Sequence, residues 1–224
     1  MPPVSPALVI AVFDLDRTIT RAGTYTPFLL GCMPGGLTKI LRVAAALAHG
    51  VAYKTKRIDR AEMKARMLAL SIAGASRAQV GAWAGDFVDR WLISHTRPGA
   101  LAAIARHRAA GDHLVLATAS YDFYAAVFAA RLGFDHVIAT KSVWDAEKLR
   151  AAVDGENCYG LAKLAAVQAY LKSHSPAKTL AYSDHHSDFA LLRAVDEGVA
   201  VNPNGKLRRL AEAHKMAVID WNSV

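Results

Sequence analysis

Leu8, Val9, Ile10, Ala11, Val12 and Phe13 form an unbroken apolar run that ends abruptly at Asp14, Leu15, Asp16, Arg17 and Thr18. A strand that is apolar on alternate and intervening positions alike must be covered on both faces, the condition of a buried strand in a parallel α/β sheet. Two carboxylates therefore sit at the carboxyl tip of a buried strand. Leu114 to Thr118 is a second such strand, residues 136–139 a third, Lys178 to Ser183 a fourth that ends at Asp184, and Gly198 to Val201 a last one before Pro203. Helical patterns alternate with them: Pro98 opens one that Gly111 closes, and Phe123 to Leu132 and Leu161 to Leu171 are two more. Residues 142–154 read either as a hairpin or as an irregular connection. The alternation predicts a doubly wound, three-layer Rossmann-like α/β core, whose ligands bind beyond the carboxyl ends of the strands.

Between the first two strands, from about residue 38 to 91, the period changes. Ile40, Leu41, Ala44 and Leu47, then Met63, Met67 and Leu70, then Val80, Trp83, Phe87 and Trp91 recur at helical spacing, which predicts an all-helical insertion. Trp83, Phe87 and Trp91 read as its internal packing. The basic stretch Lys54, Lys56, Arg57, Arg60, Lys64 and Arg66 reads as a solvated helix face or, beside the apolar residues 37–53, as a surface for anionic lipid.

The 224 residues are 53% hydrophobic and 21% charged, which excludes collagen-like, low-complexity and wholly disordered chains. Lys plus Arg (27) exceed Asp plus Glu (19), and the net +8 favours an anionic substrate or partner. No basic tail or aromatic RNA-binding strand accompanies that charge, so no nucleic-acid partner is expected. Cys32 and Cys158 stand in neither CxxC nor zinc spacing, which suits a reducing, cytoplasmic compartment. Residues 1–6 have no basic region, so no export signal is expected. Lys39, Arg42 and His49 interrupt the most apolar neighbourhood, so no membrane span is expected.

In isolation, Asp14 and Asp16 fit a solvated turn as well as a site. Their company consists of a hydroxyl at a second strand tip (Thr118), a lysine opening a later helix (Lys163) and Asp184 at a third tip. Together these meet the separate requirements of phosphoryl transfer. Asp14 supplies a carboxylate nucleophile, and Asp16 an acid/base to protonate the leaving oxygen and activate water. Mg²⁺ is the cation expected to reconcile these anions with a phosphate, held by Asp14, the Asp16 carbonyl and Asp184. The Thr118 hydroxyl, backbone N–H groups beside it at Ala119, and the Lys163 ammonium would bind the remaining phosphate oxygens.

In this order, DxDxT, strand Thr, Lys and DxxxD, the motifs resemble the haloacid dehalogenase (HAD) superfamily, and the likeness covers nearly the whole chain. More narrowly, Asp14 to Thr20 with Pro27, Phe28 and Leu29, Ala119 and Ser120, residues 155–157, Tyr182 and Ser183, Ser187 and Asp188, and Asp220 and Trp221 are similar to subfamily IB, the phosphoserine-phosphatase-like branch. The resemblance implies the same roles for Asp14, Asp16, Thr118, Lys163 and Asp184. It adds Asp188 as the residue ordering the metal's water shell. It also implies that residues 23–96 form a helical cap over a core made of 1–22 and 97–224.

The chain departs from the family pattern at three places. Arg17 stands where Gly or Ser is frequent, and either binds an anionic substrate or points to solvent. Residues 21–24 lack the substrate-binding glutamate of phosphoserine phosphatases, and Ser187 replaces a metal-side Asn. His185 and His186 read as loop residues rather than transition-metal ligands, and Cys158 as an inert packed thiol. The expected activity is Mg²⁺-dependent hydrolysis of a small soluble phosphate ester, such as a phosphoserine-like compound. The alternatives are a lipid phosphate, phosphatidylglycerophosphate-like, at the inner membrane surface, and a non-catalytic regulatory or binding protein that keeps the pocket.

Overall fold

The computed structural model describes residues 7–223, so residues 1–6, where no export signal is expected, lie outside the described residues. The buried run forms β1 (Val9–Phe13), which pairs in parallel with β2 (His113–Tyr121) on one side and β5 (Lys178–Ser183) on the other. Its two faces go to different cores, as the period of two requires. Ile10 and Val12 pack with Val167, Leu191 and Leu207, whereas Ala11 and Phe13 pack with Ala100, Tyr182 and Trp221. The Tyr182 ring lies tilted, 4.6 Å from the Phe13 ring, and Phe134 meets the Phe13 ring edge-on at 5.5 Å.

The sheet has seven strands in the order β4-β3-β2-β1-β5-β6-β7. Its remaining members are β3 (His136–Asp145), β4 (Lys148–Asp154), β6 (Glu197–Val201) and β7 (Ala217–Ile219). All pairings are parallel except β3 with β4, so residues 142–154 form a hairpin. The insertion covers that edge: Gly74 N–H donates to the Leu149 carbonyl, and Leu149 N–H to the Ala75 carbonyl. The result is a three-layer Rossmann-like α/β fold.

Four helices occupy the insertion: α1 (Tyr25–Cys32), α2 (Gly36–Lys54), α3 (Arg60–Ser71) and α4 (Arg77–His95). Asp59 caps α3 through the Glu62 N–H, and Ser76 with Gln79 forms a capping box on α4. The two connections to the core run side by side, with Arg21 N–H on the His95 carbonyl at 2.7 Å and Arg97 N–H on the Ile19 carbonyl at 2.9 Å. Phe28, Leu68, Val80 and Val88 are buried between these helices and the core helix α6 (Asp122–Leu132), and the Phe28 ring stacks 4.9 Å from Tyr124. Phe87 is buried as expected, while Trp83 and Trp91 are half-buried at the edge of the same cluster.

The core closes with α5 (Pro98–Ala110), α7 (Leu161–His174), α8 (Phe189–Ala194) and α9 (Gly205–Ala213). Three elements escaped the sequence reading. In α1, Pro27 occupies the first turn, where its missing N–H costs nothing. In α9 only Leu207 and Ala211 are buried, and β7 is three residues long, too short for a periodic signal.

A close approach fixes how α8 lies on β6. A Cβ on Gly198 would run into the Leu192 backbone, whereas one on Gly81, in the exposed middle of α4, would meet nothing within 4 Å. Gly198→Ala should therefore cost about 1–3 kcal/mol, seen as a Tm lowered by ~2–4 °C per kcal/mol. Gly81→Ala should gain up to about 1 kcal/mol. Equal melting temperatures for Gly198→Ala and wild type would refute the contact.

Candidate active site

Beginning at β1, successive connections lead to opposite sides of the sheet, so β1, β2 and β5 open a crevice at their carboxyl ends. A cavity of about 500 Å³ occupies that crevice. Asp14, Asp16, Lys163, Asp184 and Asp188 line it from the core, and Tyr25, Thr26 and Arg60 from the insertion.

Asp14 follows β1 directly, and its N–H continues the ladder by donating to the Tyr182 carbonyl at 3.0 Å. The carboxylate is thus carried on the sheet itself. Lys163, in the first turn of α7 and buried, donates at 2.7 Å to Asp14 Oδ1 and at 2.7 Å to Asp188 Oδ2. Ser183 Oγ donates to the same Asp188 oxygen at 2.8 Å. Thr18 Oγ1 stands between Asp14 Oδ2 at 3.1 Å and Asp184 Oδ1 at 3.3 Å, and accepts the Asp184 N–H at 3.0 Å.

Burial pushes Asp14 up to about 7 against the pull of Lys163, with Asp188 and Asp184 adding to the rise. Burial, helped by Asp188, lifts Asp184 to about 6. Burial disfavours the charge on Lys163, but Asp14 and Asp188 outweigh it and hold the lysine above its ordinary value. The crevice therefore holds more negative charge than its one buried ammonium neutralises. The carboxylates of Asp14 and Asp184, which share the Thr18 hydroxyl, are oxygen donors and suit a hard cation. Among the described residues no three His, Cys, Asp or Glu side chains enclose a metal by themselves. Asp14 and Asp184 with the Asp16 carbonyl would leave positions for water and phosphate, which is the habit of Mg²⁺.

Asp16 faces away from Asp14. Its Oδ1 accepts the Thr24 N–H and, at 2.7 Å, the Thr24 hydroxyl, and its Oδ2 accepts Ser120 Oγ at 2.9 Å. Thr24 belongs to the start of the insertion and Ser120 to the end of β2. Thr118 is fully buried with its hydroxyl accepting the Ser120 N–H at 3.0 Å, and Ala119 forms the cavity wall at that point. Asp188, read from the resemblance as ordering a metal's water, has its carboxylate on Lys163 and Ser183. Arg17 is exposed at the cavity rim with φ 65°, in the left-handed region. His185 Nδ1 pairs with Ser187 Oγ and His186 Nδ1 with Asn204 Nδ2, so both imidazoles have loop partners.

The basic stretch is not wholly a solvated face. Lys64 points inward from α3 and is 5% exposed. Its ammonium donates to the Ala119 carbonyl, to Asn157 Oδ1 at 2.6 Å and to Thr140 Oγ1 at 3.2 Å, with the Tyr121 ring 4.8 Å away. Arg60 lies 3.8 Å over the Tyr159 ring at the cavity edge. Helical spacing alone could have flagged Lys64, which stands between Met63 and Met67 on the apolar side of α3. Thr24 and Ser120 carry no such signal.

A family model described as haloacid dehalogenase-like hydrolase matches residues 11–193. The chain is 31% identical over 191 residues to protein CicA of Caulobacter vibrioides, covering 84% of each. It is 26% identical over 217 residues to phosphoserine phosphatase SerB1 of Mycobacterium tuberculosis, covering 94% of this chain and 70% of that protein. A solved structure of a protein of unknown function from Bordetella pertussis Tohama I superposes with a TM-score of 0.84 at 26% identity, over 96% of this chain and 99% of that one.

Burial, then the nearby Arg60, lowers Lys64 to about 7 from its ordinary 10.5. Below about 7 the lysine is charged folded and unfolded alike, and its burial counts against folding. Between the two values only the unfolded chain keeps the proton, so stability rises with pH. Lys64→Met removes that rise and leaves the Thr140 hydroxyl, which has one proton, as the shared donor to the Ala119 carbonyl and Asn157 Oδ1, at about 1–3 kcal/mol. The Tm gap between wild type and Lys64→Met should widen from pH about 7 to about 9; a constant gap would mean that Lys64 titrates normally.

Proposed function

Because the chain belongs to the haloacid dehalogenase-like hydrolases, we propose that it is a phosphomonoester hydrolase working through an aspartyl-phosphate on Asp14. The reading is carried by one observation: Asp14 is tied to a buried ammonium at 2.7 Å and shares a hydroxyl with Asp184 at the floor of a cavity of about 500 Å³. Phosphatase names among the relatives, phosphoserine phosphatase included, support the same reaction class.

A carboxylate oxygen of Asp14 attacks phosphorus as the bond to the leaving-group oxygen breaks, and that oxygen takes a proton from Asp16. Water then gives its proton back to Asp16 and attacks the phosphoryl group, releasing phosphate and restoring Asp14. Lys163 and the backbone N–H groups around Ala119 hold equatorial oxygens, with Thr118 fixing that turn through its bond to the Ser120 N–H. Mg²⁺, held by Asp14, Asp184 and the Asp16 carbonyl, would neutralise charge on the phosphoryl oxygens. Asp188 keeps Lys163 aimed at Asp14 and would order the water around the metal.

In the arrangement seen, Thr24 holds Asp16 turned toward the insertion. Ser120 of the core holds its other oxygen, so residues 23–96, acting as a cap, would reset the acid/base when they move over the core. The substrate is a small organic phosphate, in a cytoplasmic setting. A second reading, a phosphate ester with an apolar tail, rests on a cavity of about 210 Å³ between α1, α2 and α3. Leu30, Val43, Leu47 and Met67 line it, and it shares Tyr25 and Thr26 with the catalytic cavity.

Phosphate release from a broad phosphomonoester panel, with Mg²⁺ and with chelator, tests the proposal. Wild type should be active only with the metal. Asp14→Asn should lose activity by about 10³-fold or more, and Lys163→Met by roughly 10²–10³-fold. Turnover that survives Asp14→Asn, or that ignores chelation, would overturn the mechanism. Within the panel, alkyl phosphates of increasing length should show kcat/KM climbing with chain length if the apolar cavity receives the tail; a flat series would eliminate that second reading.

A further inference from the structure

The insertion carries an apolar surface that the fold leaves uncovered. No residue of the 19-residue helix α2 is buried. Leu37, Ile40, Leu41, Leu47 and Val51 are between 61% and 71% exposed. At 100° per residue these positions fall in one sector about 120° wide, and Ala44 and Ala48, also exposed, complete it. The opposite side rests on α3: Arg42 Nη1 donates to the Leu70 carbonyl at 3.1 Å, and Arg66 pairs with His49 at 3.4 Å. A contiguous apolar stripe of this size marks a contact surface.

Charge decides what the stripe contacts. From residue 17 to 58 there is no Asp or Glu, while Lys39, Lys54, Lys56 and Arg57 stand on α2 or in the turn that follows it. That turn holds a basic cavity of about 680 Å³ lined by Lys54, Lys56 and Arg57. The two acids in it are already occupied, Asp59 capping α3 and Glu62 pairing with Arg66. A second copy of the chain would bring no acidic residue on its own α2 to answer these lysines. An anionic bilayer supplies apolar depth and negative headgroups together.

We infer that α2 is a peripheral membrane-docking helix that lays Leu37, Ile40, Leu41, Leu47 and Val51 into the headgroup boundary of an anionic lipid surface, with Lys54, Lys56 and Arg57 on the headgroups. No helix among the described residues is long and apolar enough to cross a membrane, so contact is confined to the interface. The inference concerns a surface, and stands whichever phosphate ester the crevice takes.

Co-sedimentation of the full chain with two vesicle preparations tests it: phosphatidylcholine alone, and phosphatidylcholine with about one-third phosphatidylglycerol. Retention should occur on the anionic vesicles and fall steeply in about 1 M salt. Lys56→Glu/Arg57→Glu and Leu37→Gln/Leu41→Gln should each lower the partition coefficient by roughly tenfold or more while keeping the wild-type Tm. No retention on anionic vesicles, or equal retention on both, would overturn the inference. So would a wild-type dimer in sedimentation equilibrium that Leu37→Gln/Leu41→Gln splits, since the stripe would then belong to a second copy.

Discussion

The ammonium of Lys163 is the contact on which the crevice depends. Asp14, Asp184 and Asp188 converge where three strands end, largely buried at the floor of the cavity, and such a group is tolerated only if its charge is answered and its lone pairs are filled. Lys163 answers two of the three, while Ser183 and Thr18 fill remaining acceptors. Among the described residues, the side chain of Asp184 has Thr18 as its one hydrogen-bond donor. Asp14 and Asp184 consequently sit far above the ordinary carboxylate range. A structural ion-pair network would be balanced; this one is short of positive charge on the side that faces the cavity.

That imbalance is sustained by the sheet. Asp14 cannot swing away, because its own N–H extends the β1–β5 ladder to Tyr182, and Phe13 beneath it is locked between Tyr182, Phe134 and Trp221. Lys163 is fixed from α7, and Asp184 and Asp188 from the loop after β5 and the 3-10 turn before α8. Residues separated by up to 174 positions thus meet on rigid elements, which is what preorganisation of charge requires.

The tips of this architecture were legible in the sequence because buried parallel strands announce themselves as apolar runs; the polar residues that stop β1 and β5, Asp14 and Asp184, face the crevice, whereas Thr118, inside β2, is fully buried. Asp14 and Asp184 stop such runs, Lys163 stands out as a lysine opening a later helix, and the structure brings the three together. What the runs do not show is which contacts cross from the insertion. Thr24 and Ser120 are ordinary hydroxyl residues until the fold sets them 3.3 Å apart on Asp16. Lys64 read as solvated because charge usually is, yet a four-carbon stem between two methionines reaches three acceptors in the core. The edge pairing of β4 with the 74–76 turn was equally hidden, since alternation over 142–154 cannot specify a partner.

The insertion therefore has two unlike sides. α1, α3 and α4 bury Phe28, Leu68, Ile72, Val80 and Val88, so apolar burial explains why they are where they are. α2 has no such explanation. An isolated helix of its length is marginal in water, and it is kept in place by a few half-buried alanines and by the Arg42 and Arg66 contacts to its inner side. Leu37 and Leu41 are already mostly exposed, so replacing them with polar residues would remove little buried area and folding places little demand on them. The demand must come from outside the chain, and the absence of acid across residues 17–58 gives that outside partner its sign.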